Sequence, residues 1–173
     1  IMFTCLMLTI YAHHAIASEL DAHEHGSANL DIAIDIDTIQ MSFHSPAVNI
    51  VGFEYATDDK QQLLLIKQAT DSLSNVNAMF SLVGNVSCQT VKVSTNWLTD
   101  HEEEHEGHED VHDEAPSSEH AEFIAEYELT CKQLNNLTAI EVNLFEFFPA
   151  IADLDVQMIY AGGQVKQELN ANN

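Results

Sequence analysis

Residues 98–120 form the segment that most restricts how this chain can fold. They contain five of the chain's ten histidines and ten of its 28 acidic residues, and they contain no lysine or arginine. Such a composition offers too little apolar surface to offset the entropy lost on ordering, so we expect this segment to be disordered by itself. The folded core must therefore come from the rest of the chain.

The histidines of this segment indicate metal binding. Neutral imidazole is the commonest protein ligand for zinc, and carboxylates can complete the coordination shell. Four of these histidines recur at intervals of four, three and four residues, which places them on one face of a helix if a metal ion induces one. The four are His101, His105, His108 and His112. The alternative is a solvated acidic loop, but solubility does not require histidine at this density.

Residues 101–105 also match the H-E-x-x-H pattern of zinc proteases. That pattern requires an apolar-backed helix in a folded cleft. Here it lies in a run of low complexity, where such a match arises easily by chance, so we do not interpret it as a catalytic motif.

The overall charge excludes two classes of partner. The chain carries a formal net charge of −23, with five lysines and no arginine. Nucleic acid and anionic membrane surfaces both require clustered cations, so neither is an expected partner. The charge favours a cationic ligand instead.

The first 17 residues have the features of a secretory signal peptide. Residues 1–12 form an apolar run, and Ala15-Ile16-Ala17 gives the small-residue pattern of a cleavage site. The run is too short to span a membrane, and no basic region precedes it, so we expect the natural signal to begin before Ile1. We expect cleavage near Ala17 and export of residues 18–173 as a single domain.

Two cysteines are left after cleavage, because Cys5 lies in the signal peptide. In an oxidising compartment an even pair indicates a disulfide between Cys88 and Cys131. Metal ligation is the alternative, although the spacing is not C-x-x-C. The register that pairs the two cysteines differs by one residue from the register that pairs the apolar faces of the surrounding strands. The disulfide therefore requires a β-bulge or an irregular strand end.

Period-two alternation of apolar residues predicts that most of the chain forms strands. The predicted strands are 30–36, 39–43, 86–97, 123–129, 140–149, 154–160 and 165–169. A helix is predicted near 58–74, with Asp58 beginning a capping box, and a short second helix over 75–80. This order predicts an α+β fold with a mainly antiparallel sheet, in which residues 98–120 are an insertion at the tip of a long hairpin.

Four residues other than the helically spaced loop histidines are candidates for a more ordered metal site. His23 and His25 are two residues apart, so they share one side of an extended segment. His120 and Glu122 are also two residues apart, where the loop rejoins a strand. We expect these four side chains to retain a metal ion that the exposed loop histidines exchange.

Several motifs resemble those of ZrgA, a family of zinc-regulated periplasmic proteins. The matching pieces are residues 23–26, 45–54, 120–123 and 144–149, together with Cys88, Tyr127 and Cys131. The resemblance implies zinc binding in the periplasm and a role in zinc acquisition. One departure is Tyr55, which stands where the family pattern often has histidine. The sequence does not decide whether His44 or Glu54 is a ligand.

These observations favour a non-enzymatic protein that captures or buffers Zn²⁺ in the periplasm and passes it to components of a zinc import system. One alternative is a structural or interaction domain whose acidic loop keeps it in solution. Another is a zinc metalloenzyme, which would need three fixed ligands, an open position and a general base. No such residue set is evident outside the loop. Nitrogen ligands do not separate zinc from copper, nickel or cobalt.

Overall fold

The computed structural model of the protein describes residues 25–99 and 120–172. The predicted signal peptide, its cleavage point and residues 100–119 of the predicted loop lie outside the described residues. Within them the chain is largely β. The strands are β1 (Ser27–Ile34), β2 (Thr38–Pro46), β3 (Phe80–Gly84), β4 (Ser87–Thr99), β5 (Ala121–Lys132), β6 (Leu137–Val142), β7 (Asp153–Tyr160) and β8 (Gly163–Asn170). The helices are α1 (Val48–Val51), α2 (Lys60–Leu73), α3 (Val76–Met79) and α4 (Leu144–Phe147), with a 3₁₀ turn at Leu134–Asn136.

The strands form one large sheet and one small sheet. The large sheet has six strands in the order β4-β5-β2-β1-β7-β8, and the small sheet pairs β3 with β6. All neighbouring strands are antiparallel except β1 and β7, which are parallel. The predicted antiparallel α+β fold is therefore only partly right. The large sheet is mixed, and α2, with 14 residues, is the one described helix longer than four residues.

One face of the large sheet carries the hydrophobic core. Along β5 every second residue is buried, including Phe123 and Tyr127, and Ala69 and Leu73 of α2 belong to the same core cluster. Full burial of a large apolar side chain contributes about 1.5–3 kcal/mol, so this packing fixes the adjacent strands β2 and β5 firmly. The last residues of β2 and the first residues of β5 lie close to the candidate site described below.

The Cys88–Cys131 disulfide is present, and the bulge that it required is present with it. The two cysteines are direct partners across β4 and β5, but the register shifts between Thr90 and Lys92. Val91 is the extra residue, and its side chain is 61% exposed. Beyond the bulge the apolar partners face one another, so both registers inferred from the sequence occur in one hairpin.

Several predicted element boundaries are wrong. Ile36 is 90% exposed because the chain turns there, with the Asp35 N–H donating to the Thr38 carbonyl at 3.0 Å. The cap of α2 is Asp59 rather than Asp58, since its carboxylate accepts from the N–H groups of Gln61 and Gln62 at 2.9 and 3.0 Å. A capping side chain must reach the first turn of its helix, and only Asp59 directly precedes Lys60.

Two further elements end earlier in the structure than predicted, namely the strand 140–149 and the helix 75–80. Strand β6 stops at Val142, and α4 begins at Leu144. Between them Asn143 donates through its backbone to the Met79 carbonyl at 2.8 Å and through its side chain to Ser81 at 3.2 Å. Phe80 leaves the short helix to begin β3, where it is paired with Val142. These side-chain and long-range contacts override the local alternation.

Candidate metal site

Two imidazoles converge on one carboxylate at the edge of the large sheet. His25 Nε2 lies 3.2 Å from Glu54 Oε1 and 3.3 Å from Oε2. His120 Nδ1 lies 3.1 Å from Oε2 of the same carboxylate. The side chain of Glu54 is only 14% exposed, whereas those of His25 and His120 are 64% and 42% exposed. The carboxylate is therefore set back in the protein, with both imidazoles open to solvent.

Strand topology brings these three residues together. Strand β2 is antiparallel to both β1 and β5, so its last residues lie beside the first residues of those two strands. His25 precedes β1, His120 precedes β5, and the segment leading to Glu54 follows β2. The three side chains thus approach the same end of the sheet from three separate parts of the sequence.

The turn of residues 47–54 holds the start of β5 against Glu54. The Ala47 N–H donates to the Ala121 carbonyl at 2.8 Å, and the Ala121 N–H donates to the Glu54 carbonyl at 2.9 Å. Between these two bonds lies α1, which ends at Gly52 with a left-handed φ of 86° that favours glycine. Because Ala121 is bonded to both ends of the turn, His120 is held next to Glu54.

The backbone beside His25 is also fixed. Gly26 has a left-handed φ of 90°, and its carbonyl accepts from the N–H groups of Ala152 and Asp153 at 2.7 and 3.0 Å. A side chain at this position would strain that backbone conformation. The segment before β1 is therefore tied to the start of β7.

The residues on either side of Glu54 in the sequence belong to an aromatic cluster. Phe53, which is almost fully buried, lies between Tyr55 and Trp97 with ring-centre distances of 5.3 and 5.9 Å. Trp97 in turn packs edge-on against Phe123 at 5.1 Å. This packing holds Phe53 and Tyr55, the two sequence neighbours of Glu54, against the start of β5 and the end of β4.

The Oε1 atom of Glu54 is buried and accepts no hydrogen bond from any described residue. His25 Nε2 lies 3.2 Å from it as an ion-pair contact. A buried acceptor without a donor costs about 1–3 kcal/mol. Its lone pairs are consequently available for a cation.

The donor set suits zinc, but the described side chains do not form a finished centre. Zinc bonds of 2.0–2.1 Å in a tetrahedron separate neighbouring donors by about 3.3 Å, close to the 3.1–3.3 Å nitrogen–oxygen distances at Glu54. Within residues 25–99 and 120–172, however, no group of three or more histidine, cysteine, aspartate or glutamate side chains is arranged to hold a metal ion. Coordination would require the imidazoles to exchange their contacts with Glu54 for bonds to the ion.

Comparison with known protein families places this site in context. Residues 22–173 match the family model of the ZrgA family zinc uptake protein. This chain belongs to the ZrgA family. The match includes His25, Glu54 and His120, confirms the resemblance seen in the sequence, and supports a role in zinc uptake. A search of curated proteins found no significant match.

Of the eight residues predicted as metal ligands in this ZrgA protein, the structure describes three. His25 and His120 are brought together at Glu54. Glu122 lies on β5 opposite Pro46 of β2 and Leu98 of β4, and it is half-buried. The other predicted ligands, His23, His101, His105, His108 and His112, lie outside the described residues.

The sequence left undecided whether His44 or Glu54 is a ligand. Glu54 closes the motif of residues 45–54, which is the most specific part of the resemblance to ZrgA. His44 lies within β2, and its Nε2 is 3.1 Å from the Ser42 hydroxyl. Of these two residues, only Glu54 contacts His25 and His120.

A cavity of about 690 Å³ lies elsewhere, over the polar face of the large sheet. Its lining includes Asp31, Ser42, Glu126, Gln157 and Lys166 but none of His25, Glu54 and His120. It is therefore separate from the candidate metal site.

No helix within residues 25–99 and 120–172 has both the length and the apolar character needed to cross a bilayer.

Proposed function

We propose that this protein binds zinc in the periplasm through His25, Glu54 and His120, and supplies it to a zinc import system without catalysing a reaction. The observation that carries the proposal is the convergence of two solvent-open imidazoles on one carboxylate whose side chain is only 14% exposed. Membership of a zinc uptake family makes zinc the expected cargo among the metals that such ligands accept. The predicted signal peptide supports the periplasmic location.

A fourth ligand would complete a tetrahedral shell. His23 is a candidate because it lies two residues before His25, so an extended segment directs both side chains to one side. Glu122 is the other candidate, since it lies two residues after His120. A water molecule in the fourth position would suit cargo that must later be released.

The charge of the protein supports capture. Zinc would replace the protons and hydrogen bonds that now link the imidazoles to Glu54, and the carboxylate would offset part of the charge of the ion. The net charge of −23 creates a field that raises the local concentration of cations. Reversible coordination of this kind needs no separate general base, which is why we propose a binding protein and not an enzyme.

The histidines at 101, 105, 108 and 112 are proposed as a second, weaker group of sites. Their density among acidic residues suits rapid collection and exchange of zinc. The two groups would differ in affinity because His25, Glu54 and His120 are already held close together by folded structure, so less entropy is lost when they bind the ion.

The proposal is tested by calorimetric zinc titration of the full chain and of Glu54→Gln. Glu54→Gln keeps the shape of the side chain and removes its charge. Loss of residues that merely support metal ligands costs about 10–100-fold in affinity, so loss of this ligand should weaken the tightest site by about 100-fold or more.

The matched control is Glu141→Gln, which removes the same charge from an exposed position on β6. Its tightest zinc affinity should equal that of the unmodified protein. If Glu54→Gln and Glu141→Gln bind zinc equally well, the carboxylate of Glu54 is not a ligand and the proposal is wrong.

A further inference from the structure

We infer that Asn49 is a positioning residue for the metal site, holding His25 against Glu54 through the backbone. The inference rests on the proposed function, since it concerns the geometry of that same site. Asn49 is 3% exposed, and it is one of two buried polar residues in the described part of the chain, the other being Ser45. A buried polar side chain needs hydrogen-bond partners, and the partners of Asn49 are informative.

The amide of Asn49 is satisfied at both ends. Its Oδ1 accepts from the Gly26 N–H at 2.8 Å. Its Nδ2 donates to the Ser27 carbonyl at 2.9 Å and to the Ser45 hydroxyl at 3.2 Å. Because one end meets a donor and the other meets two acceptors, a flipped amide would lose these bonds, and the orientation of the side chain is fixed.

These bonds connect the two segments that carry ligands. Gly26 and Ser27 directly follow His25, and Asn49 lies in α1, within the turn that ends at Glu54. His25 precedes the first residue of β1, so the ladder hydrogen bonds of the sheet do not hold it. This side chain thus links the backbone next to His25 directly to the turn that presents Glu54.

Removing the Asn49 amide would loosen the link between α1 and the segment that carries His25. Without Oδ1 the Gly26 N–H loses its acceptor. The Gly26 carbonyl stays bonded to Ala152 and Asp153, but the segment before β1 loses its link to α1. His25 would then have to be ordered when zinc binds, which costs affinity. By comparison with other residues that orient metal ligands, the loss should be about tenfold.

A double-mutant cycle separates positioning from general stability. Zinc alone is titrated into full-length protein, and the affinity of this site is read from the amide resonances of Glu54 and Ala121, so that binding elsewhere does not enter. Asn49→Ala should weaken zinc binding about tenfold in the unmodified background. In the His25→Ala background the same substitution should cost less than about twofold, because the residue through which it acts is absent.

Ser45→Ala is the matched control. Ser45 is as buried as Asn49 and belongs to the same network, but its loss leaves the bonds to Gly26 and Ser27 intact. It should change zinc affinity less than about twofold, even if it lowers the melting temperature. If Asn49→Ala does not fold, Asn49→Leu carries the same cycle. Leucine has a similar volume and removes both the acceptor for Gly26 and the donor to Ser27.

The possible results are distinct. Equal losses in the two backgrounds, or no loss in either, would overturn the positioning role of Asn49 while leaving zinc binding in place. Failure of the proposed function would be seen differently, as an absence of any zinc-dependent shift at Glu54 and Ala121 in the unmodified protein.

Discussion

His120 Nδ1 lies 3.1 Å from Glu54 Oε2, although 66 positions separate the two residues in the sequence. The contact does not depend on side chains only, because the Ala121 N–H donates to the backbone carbonyl of Glu54 at 2.9 Å. The start of β5 and the end of the 47–54 turn therefore form one unit. Any metal ion held by Glu54 would be expected to use His120 as well.

Replacing His120 with alanine should weaken the tightest zinc site by at least about tenfold, because a ligand is lost. Competition against a zinc chelator would measure the effect. His44→Ala is the matched control, since His44 is a half-buried histidine on the same sheet whose contact is to Ser42. Equal zinc affinities for the two variants would contradict the role of His120.

The disulfide predicts the redox state and a part of the stability. When the protein is denatured without reductant and treated with a thiol reagent, neither Cys88 nor Cys131 should be labelled. Replacing both cysteines with alanine should lower the free energy of unfolding by about 2–4 kcal/mol, because the unfolded chain gains entropy. Labelling of either residue, located by mass spectrometry, would show that the bond does not form in solution.

The N-terminal cap of α2 gives a prediction that separates two neighbouring aspartates. Asp59→Ala should cost about 1 kcal/mol of stability, because the N–H groups of Gln61 and Gln62 lose their acceptor. Asp58→Ala should change stability by less than about 0.5 kcal/mol, as is usual at exposed sites. Urea unfolding of the two variants measures both values. The reverse order would mean that the helix begins at Asp58.

Tyr127 predicts how stability depends on alkaline pH. Burial raises the pKa of Tyr127 above its ordinary value of 10.0. Below pH 10 the phenol is protonated in the folded and the unfolded protein, so it adds no pH dependence. Above pH 10 the unfolded chain releases this proton and the folded protein keeps it, so stability falls by up to about 1.4 kcal/mol per pH unit.

Tyr127→Phe tests this directly. At pH 7 it should cost about 1 kcal/mol, because the hydroxyl donates to the Leu73 carbonyl at 2.8 Å. Above pH 10 its stability should fall less steeply than that of the unmodified protein. Tyr160→Phe, at a residue that is 40% exposed, is the control and should leave the slope unchanged. Parallel slopes for all three proteins would contradict the effect of burial at Tyr127.

The β4–β5 hairpin shows how far sequence reasoning extends. The alternation around Trp97 and Phe123 indicates which residues face the core, and so predicts one strand register. The pairing of the cysteines predicts a register that differs from it by one residue. Together they required a bulge, and Val91 provides it. Both constraints act between strands that neighbour each other along the chain, so local patterns contain the information.

Other features depend on contacts that local patterns do not contain. The parallel pairing of β1 with β7 joins strands more than a hundred residues apart, and the alternation of each strand is the same whichever partner it takes. The role of Glu54 was left undecided for a similar reason. A single glutamate has no periodic signal, and its partners His25 and His120 come from distant segments. Ile36 was wrongly predicted to lie in the first strand, because the apolar alternation of that strand continues into the turn.

The most direct test of the zinc site is anomalous diffraction at the zinc absorption edge from crystals of the full chain with one equivalent of zinc. The account predicts one dominant peak about 2.0–2.2 Å from His25 Nε2, His120 Nδ1 and a carboxylate oxygen of Glu54. A dominant peak elsewhere, with Glu54 still in direct contact with both imidazoles, would contradict the account.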